Sequence, residues 1–372
     1  MLRVILTGGG TGGHVNPALA IADIIKEKHP DAEIIFIGTK KGIENRLVSK
    51  EGYEIKHVEA RGFRRSLSPK NFIAAWYFLT SPGKAKRIIK DFNPDIVIGT
   101  GGYVCYAPIK AAAELGIPTM LHESNALPGL AVKMLQSKVD KILLNFAESV
   151  DKLDAKDKAV VVGNPVRGDF GKYTREEARR ELRIGDEYKH VILSYGGSLG
   201  APAINSAALK IMENYDAQHP EVLHIHATGR ARFEEFEKAF KEAKLDTYKN
   251  IEISDFIYDM PKKLAAADLV ISRAGAMTVT EMARMKKPCI MIPSPYVADN
   301  HQYKNAKVLA DAGAVVLIEE KELDSGRSIA NDVESLLSDA EKISSMSANI
   351  DAFAGSDVAR LIYDEIHALI NK

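Results

Sequence analysis

Short apolar runs recur along the first half of the chain, each nearly free of polar interruption. They are Val4-Ile5-Leu6, Ile34-Ile35-Phe36-Ile37, Ile96-Val97-Ile98, Thr119-Met120-Leu121 and Ile142-Leu143-Leu144. Runs of this kind mark parallel strands covered on both faces. Between the first two, Ala18, Ile21, Ala22 and Ile25 keep the i, i+3, i+4, i+7 spacing of one buried helical stripe. Asn16 is the expected N-cap of that helix and Pro17 its first residue. Strand, helix and strand in this order build right-handed crossovers and a doubly wound sheet.

The pattern then starts again. Val160-Val161-Val162 is followed by the turn-rich Gly163-Asn164-Pro165 and a charged helix from Thr174 to Leu182. A second strand, glycine turn and helix open at Val191-Ile192-Leu193-Ser194-Tyr195. Further strands are expected at Val222 to Ala227, Ile251-Glu252-Ile253, Leu269-Val270-Ile271, Ile290-Met291-Ile292 and Val315-Val316-Leu317. The fold class is therefore α/β, with two Rossmann-like doubly wound domains, residues 1–163 and 164–345, and a deep cleft between them. Residues 346–372 end in a helix from Ser356, its expected N-cap, to Asn371. That helix can pack on either lobe, a return to the N-terminal one included.

Composition narrows the function classes. The chain has 372 residues, 46% apolar and 27% charged, with 50 basic against 50 acidic side chains. That suits an ordinary globular protein of two or three domains at roughly 150 residues each. A balanced charge argues against a nucleic-acid binder, which needs a basic face. Two cysteines, Cys105 and Cys289, cannot form a disulfide framework, so a reducing compartment is expected. The first strand runs straight into glycines with no signal-like segment. The longest membrane-like stretch, Phe72 to Leu79, is far short of the ~20 residues a spanning helix needs. The expectation is a soluble, cytoplasmic chain able to lie on a membrane surface.

The candidate chemistry sits in glycine turns. Thr7-Gly8-Gly9-Gly10-Thr11-Gly12-Gly13-His14 joins the first strand to the first helix, and Gly8, Gly10 and Gly13 satisfy G-x-G-x-x-G. Glycines let a ligand approach the backbone, and a helix N-terminus offers N–H groups to anions. A dinucleotide site would also place an acid at the end of the second strand, where this chain has Gly38-Thr39-Lys40-Lys41. A nicotinamide cofactor is thus disfavoured. Gly99-Thr100-Gly101-Gly102-Tyr103, Gly196-Gly197-Ser198-Leu199-Gly200 and Ser272-Arg273-Ala274-Gly275-Ala276 repeat the arrangement after other expected strands. Four such turns facing one cleft point to a ligand with phosphates. Glu281, one helical turn beyond Met277, could accept hydrogen bonds from a ribose or be a solvated helix carboxylate.

Taken together, Gly9-Gly10-Thr11-Gly12-Gly13-His14, Gly101-Gly102-Tyr103-Val104, His122-Glu123-Ser124-Asn125, Gly163-Asn164-Pro165-Val166-Arg167, Gly196-Gly197-Ser198, Ser272-Arg273-Ala274-Gly275 and His301-Gln302-Tyr303-Lys304-Asn305-Ala306 form an ordered set. In this it resembles the MurG-type N-acetylglucosaminyltransferases of bacterial peptidoglycan synthesis. The resemblance implies a GT-B enzyme that moves N-acetylglucosamine from UDP-N-acetylglucosamine to the C4 hydroxyl of the muramoyl sugar of lipid I, giving lipid II. It implies contacts to the diphosphate region from Ser198 and Arg167, to uracil from Ile257 and to the ribose from Glu281. Ala276, Met277, Thr278, Val279 and Thr280 would offer backbone contacts and Gln302 would hold sugar hydroxyls. Thr11, Gly12, Gly13 and Asn125 would approach from the N-terminal lobe, with Gly102 and Tyr103 on the acceptor side. The chain departs from the family's usual residues at Leu199, where Gln is usual, and at Tyr106, where a small residue is frequent.

Glycosyl transfer must neutralise a departing diphosphate and deprotonate a hydroxyl. The chain has no Asp-x-Asp, no zinc-type Cys/His set and no His-Glu-x-x-His. His224 and His226, on one face of a strand, lack an evident third ligand. Neither metal nor cofactor is expected, so helix N-termini and Arg167 would meet the leaving-group charge. His14, kept neutral by the helix N-terminus beside it, is the expected base, with His122 and Glu123 as a secondary pair. A single displacement by one base predicts inversion. The aromatic stretch Phe72 to Leu79, flanked by Arg61, Arg64, Arg65, Lys70, Lys84, Lys86 and Arg87, suits an anionic membrane surface. A helix buried in the N-terminal lobe is its alternative.

Overall fold

The computed structural model describes residues 1–62, 70–168, 170–197, 200–355 and 357–371, and only the backbone of Lys70, Asn71 and Ala298. The chain divides into two compact units, residues 1–167 with 355–372, and residues 168–354.

In the first unit, seven parallel strands are β1 (Arg3–Thr7), β2 (Glu33–Gly38), β3 (Glu54–His57), β4 (Ile96–Gly99), β5 (Thr119–Glu123), β6 (Lys141–Leu144) and β7 (Ala159–Val161). Their order is β3-β2-β1-β4-β5-β6-β7. Alternate side chains feed two cores, as the period of two requires. Val4, Leu6, Ile34, Phe36, Ile96 and Ile98 point to one face. Ile5, Ile35, Ile37, Val97, Leu121 and Ile142 point to the other. The edge strand β3 was not expected from the sequence: it is half exposed, and Glu54 and Lys56 interrupt its apolar positions.

The second unit holds β8 (His190–Tyr195), β9 (Val222–Ala227), β10 (Ile251–Ser254), β11 (Leu269–Ser272), β12 (Cys289–Met291) and β13 (Val315–Leu317), again all parallel. Their order is β10-β9-β8-β11-β12-β13. In each sheet the strand order reverses beside the first strand, between β1 and β4 and between β8 and β11. A doubly wound sheet binds ligands at that point, beyond the carboxyl ends of the strands. All four glycine turns follow these four strands.

Two expectations are corrected. The first helix spans Gly12–Lys28, with Thr11 as N-cap and Pro17 inside it, so it starts five residues before the proline. The Thr11 carbonyl accepts from the His14 and Val15 N–H groups and winds the glycines into the first turn. His14 is thereby held in a helix rather than in a loop before one.

The unit boundaries fall at 167/168 and 354/355 rather than at 163/164 and 345/346. Arg167 is tied to Asp23 and Glu51, which keeps residues 164–167 with the first unit. The helix Ala340–Asp351 stays in the second unit, and only the helix Val358–Ile370 returns to the first. Ile362, Ile366 and Leu369 on that last helix are buried in the core that holds Val4 and Leu6. Ser356, its expected N-cap, lies outside the described residues.

Truncating a buried isoleucine costs about 2–5 kcal/mol. Ile366→Ala should therefore weaken the first unit by that amount. In native-state hydrogen exchange, amide protection should fall in β1 and β4 and stay unchanged in β8 and β11.

Candidate active site

His14 stands in the first turn of the helix that follows β1. Its Nδ1 lies 3.1 Å from the Gly9 carbonyl oxygen and 3.3 Å from Thr11 Oγ1. A carbonyl can only accept, so Nδ1 carries a proton and donates it to Gly9. The turn after β4 closes over the ring. A methyl group on Gly101 would sit 2.7 Å from His14 Cδ2, and one on Gly102 would sit 2.2 Å from the Gly9 oxygen. Gly102 also has φ +78°, a conformation few side chains tolerate. Thr100 Oγ1 donates to the His14 carbonyl at 2.6 Å and ties the two turns together. Tyr103 lays its half-exposed ring over Gly10.

The sequence reading missed Glu44. It starts the short helix Glu44–Lys50, six residues beyond the end of β2, so a search for an acid at the strand end passes over it. Its buried carboxylate accepts from the Thr39 N–H at 2.9 Å, the Thr39 hydroxyl at 2.7 Å and the Gly10 N–H at 3.2 Å. Burial alone would raise its pKa. The hydrogen bonds outweigh that and hold it below the usual carboxylate value. A Cβ on Gly9 or Gly42 would strike this carboxylate, and the glycines at both positions are a visible signal of it in the sequence.

The secondary pair is used internally. His122 is fully buried, donates from Nε2 to the Gly163 carbonyl at 3.1 Å, and burial pushes its pKa down to about 4. Glu123 accepts from the Asn125 N–H and side-chain amide and from the Gly129 N–H, at 2.9, 3.0 and 2.7 Å. It thus shapes the loop that presents Asn125. Arg167 binds Glu51 with two nitrogens at 2.8 Å each and Asp23 at 3.1 Å. These carboxylates raise its pKa, Glu51 foremost, and they occupy the fork expected at a diphosphate.

In the second unit the helix Ala276–Arg284 starts directly after the β11 turn. No side chain caps its N-terminus and no acid sits in its first turn. Its opening residues are Ala276, Met277 and Thr278, with Val279 and Thr280 turned inward and buried. Asn305, fully buried, donates to the Ala274 carbonyl and fixes this turn. Glu281, in the second turn, is partly buried and has no hydrogen-bond partner or counter-ion among the described residues. Burial pushes its pKa up to about 8. Gln302 accepts from the Ser294 N–H at 2.9 Å through its carbonyl oxygen, which orients its amide. Ile257 is buried just beyond β10, where its main chain has left the strand ladder. Ser198 and Leu199 lie outside the described residues.

The histidine pair lies elsewhere. His226 Nδ1 and His224 Nε2 each lie 2.7 Å from Ser194 Oγ, and His224 Nδ1 lies 2.5 Å from Asp216. This resembles a hydrolytic triad, but all four side chains are fully buried, so no substrate reaches the hydroxyl.

Two family models match the chain, the glycosyltransferase family 28 N-terminal domain over residues 4–144 and its C-terminal domain over residues 191–362. A relative from Acetivibrio thermocellus is 42% identical over 98% of this chain and 97% of its own length. One from Clostridioides difficile is 41% identical over 100% and 90%. Both are named UDP-N-acetylglucosamine–N-acetylmuramyl-(pentapeptide) pyrophosphoryl-undecaprenol N-acetylglucosamine transferase. Among solved structures, Acinetobacter baumannii MurG matches with a TM-score of 0.75 and 28% identity, over 99% of this chain and 100% of that one. A UDP-N-acetylglucosamine 2-epimerase from Neisseria meningitidis shares the fold, with a TM-score of 0.68 and 14% identity over 99% and 100% of the two chains.

A carboxyl whose folded pKa lies above its unfolded value binds its proton more tightly in the folded state. Its favourable contribution is complete below about pH 4.5 and disappears as the pH rises to about 8. Glu281→Gln should therefore match the parent's melting temperature near pH 4.5 and exceed it by a few degrees at pH 8.5. Thermal scans at the two pH values check this.

Proposed function

Since the chain belongs to glycosyltransferase family 28, we propose that His14 is the base of an inverting transfer whose donor is held by the second unit. The chain transfers N-acetylglucosamine from UDP-N-acetylglucosamine to N-acetylmuramyl-(pentapeptide) pyrophosphoryl-undecaprenol, lipid I, and forms lipid II. The observation that carries this is likeness over nearly the whole length of relatives named for that transfer.

The finer reading is supported by chemistry at the two sheet edges. The uncapped start of Ala276–Arg284 offers N–H groups and positive dipole to a diphosphate, and these can stabilise it as it departs. The unpartnered Glu281 suits a ribose diol, which supplies the hydrogen bonds it lacks. The amide of Gln302 suits a sugar hydroxyl, and Ile257 offers main-chain groups and an apolar side to uracil. The second unit thus has donor chemistry without Arg167, which Asp23 and Glu51 engage. In the first unit, Nε2 of His14 can take the proton of the C4 hydroxyl while that oxygen attacks the anomeric carbon. Thr11, Gly12, Gly13 and Asn125 border it, and Gly102 and Tyr103 shape the acceptor side. One displacement turns the α-linked donor into a β-linked product.

An assay of UDP release and disaccharide formation from UDP-N-acetylglucosamine and a lipid I analogue tests this reading. General-base help is worth ~10²–10⁴-fold. His14→Ala should lower kcat by that order while leaving UDP-N-acetylglucosamine affinity near the parent's, and a chelator should leave the parent active. Undiminished kcat in His14→Ala contradicts the role.

The lipid acceptor gives the aromatic helix a purpose. No helix among the described residues is long and apolar enough to cross a membrane. The helix Lys70–Phe92 buries Ala74, Ala85 and Ile89 but leaves Phe72, Trp76 and Leu79 exposed by 82, 65 and 73%. Spaced by four and three residues, these line one face, and Ile73 beside them is 42% exposed. Of the basic flank, Lys84 and Lys86 are paired with Glu59 and Glu114, while Arg64, Arg65 and the Lys70 side chain lie outside the described residues. The face fits peripheral docking at the cytoplasmic side of the cell membrane, aromatics at the headgroup boundary. The double variant Phe72→Ser/Trp76→Ser should bind vesicles containing anionic lipid at least about tenfold more weakly and keep its turnover on a short-chain, soluble acceptor. Unchanged vesicle binding contradicts docking through this face.

A further inference from the structure

The carboxylate of Glu44 and the imidazole of His14 do not touch, yet both hold the same peptide group. The Gly9 carbonyl accepts from His14 Nδ1 at 3.1 Å, and the Gly10 N–H donates to Glu44 Oε2 at 3.2 Å. These belong to one peptide unit, and in a trans peptide the C=O and N–H point in opposite directions. The chain of contacts therefore runs carboxylate, N–H, C=O, imidazole. From it we infer that Glu44 is a positioning residue for His14, acting through the Gly9–Gly10 peptide as the aspartate of a hydrolytic triad acts directly. The inference rests on the reading of His14 as the base.

The carboxylate does two things to the imidazole through that peptide. It fixes the plane of the amide, and with it the direction of the Gly9 oxygen that orients the ring. It also polarises the amide, since a hydrogen bond to an ionised group draws charge toward the carbonyl oxygen and strengthens the next bond in the chain. A better acceptor at Nδ1–H keeps the proton there and leaves Nε2 as the lone pair. When the acceptor hydroxyl gives its proton to Nε2, the imidazolium that forms keeps Nδ1–H on the Gly9 oxygen, and the charge of Glu44 favours it.

The surroundings are cut to fit this relay. A Cβ on Gly9 would come within 2.8 Å of the Glu44 carboxylate, and one on Gly102 would displace the Gly9 oxygen. Both Thr39 donors go to Oε1, and the Gly10 N–H goes to Oε2. Among the described residues, Tyr103 faces the relay, its hydroxyl pKa raised by burial and by the charge of Glu44, and Arg61 opposes that rise. Neither stands between the carboxylate and the peptide. Thr11 Oγ1 also faces Nδ1 and carries no charge.

Glu44→Gln keeps the size of the side chain and removes its charge. In the full-length protein with UDP-N-acetylglucosamine and a lipid I analogue, it should lower kcat by roughly 10–100-fold, as loss of an orienting partner does elsewhere, with KM for the donor unchanged. The imidazole ¹⁵N shifts of His14 should move from the Nδ1–H form toward a mixture of tautomers, a change that a merely structural loop contact would not produce. On a His14→Ala background, Glu44→Gln should cost nothing further. Glu44→Asp, which draws the charge back from Gly10 by one methylene, serves the same comparison if the amide variant does not fold. Parental kcat and tautomer in either variant, or losses that multiply on the His14→Ala background, overturn the relay. If His14→Ala itself keeps full turnover, the base reading fails and takes the relay with it; if His14→Ala is impaired but Glu44→Gln is not, the relay alone falls.

Discussion

A parallel sheet that reverses its strand order leaves two neighbouring loops diverging at its carboxyl edge, and the proposed site depends on keeping that gap free of side chains. Between β1 and β4 the gap admits the His14 ring only because residues 101 and 102 have no Cβ to fill it. Between β8 and β11 the same reversal places an uncapped helix start beside the turn that follows β11. Strand order creates the space, glycine keeps it open, and main-chain dipoles lend it an affinity for anions.

Two carboxylates show how differently this framework treats charge. Glu44 is buried but receives hydrogen bonds from Thr39 and Gly10, so its ionised form is favoured and it can act as a fixed negative charge beneath the glycine turn. Glu281 is partly buried with no hydrogen-bond partner among the described residues, and burial disfavours its ionised form. On the proposed reading, the second leaves a carboxyl for the ribose hydroxyls of the donor to meet.

Much of this was legible in the residue pattern, for physical reasons. Strands buried on both faces cannot hide: Ile34 to Ile37 and Ile96 to Ile98 are uninterrupted because no polar side chain could face either core. The glycine turns and His14 stand out because so many residues without side chains in one place oppose folding unless something must come close. The start of the first helix was misread because Pro17 suits a first turn, whereas the Thr11 carbonyl begins the winding earlier. The edge strand β3 was invisible because none of its residues is buried, two being exposed and two partly so. Glu44 and Arg167 could not be placed from spacing, since their partners, Gly10 and Thr39 for one and Asp23 and Glu51 for the other, lie up to 144 residues away in the chain. That Glu281 lacks a partner among the described residues is likewise a fact of packing that no local motif encodes.

The most direct test is a crystal structure of the protein with UDP bound. The ribose hydroxyls should donate to Glu281, the diphosphate oxygens should accept from the first N–H groups of the helix Ala276–Arg284, and uracil should lie against Ile257. UDP seated away from the carboxyl edge of β8 and β11, with Glu281 still without a donor, would contradict the central claim that strand reversal and glycine turns build the binding edge.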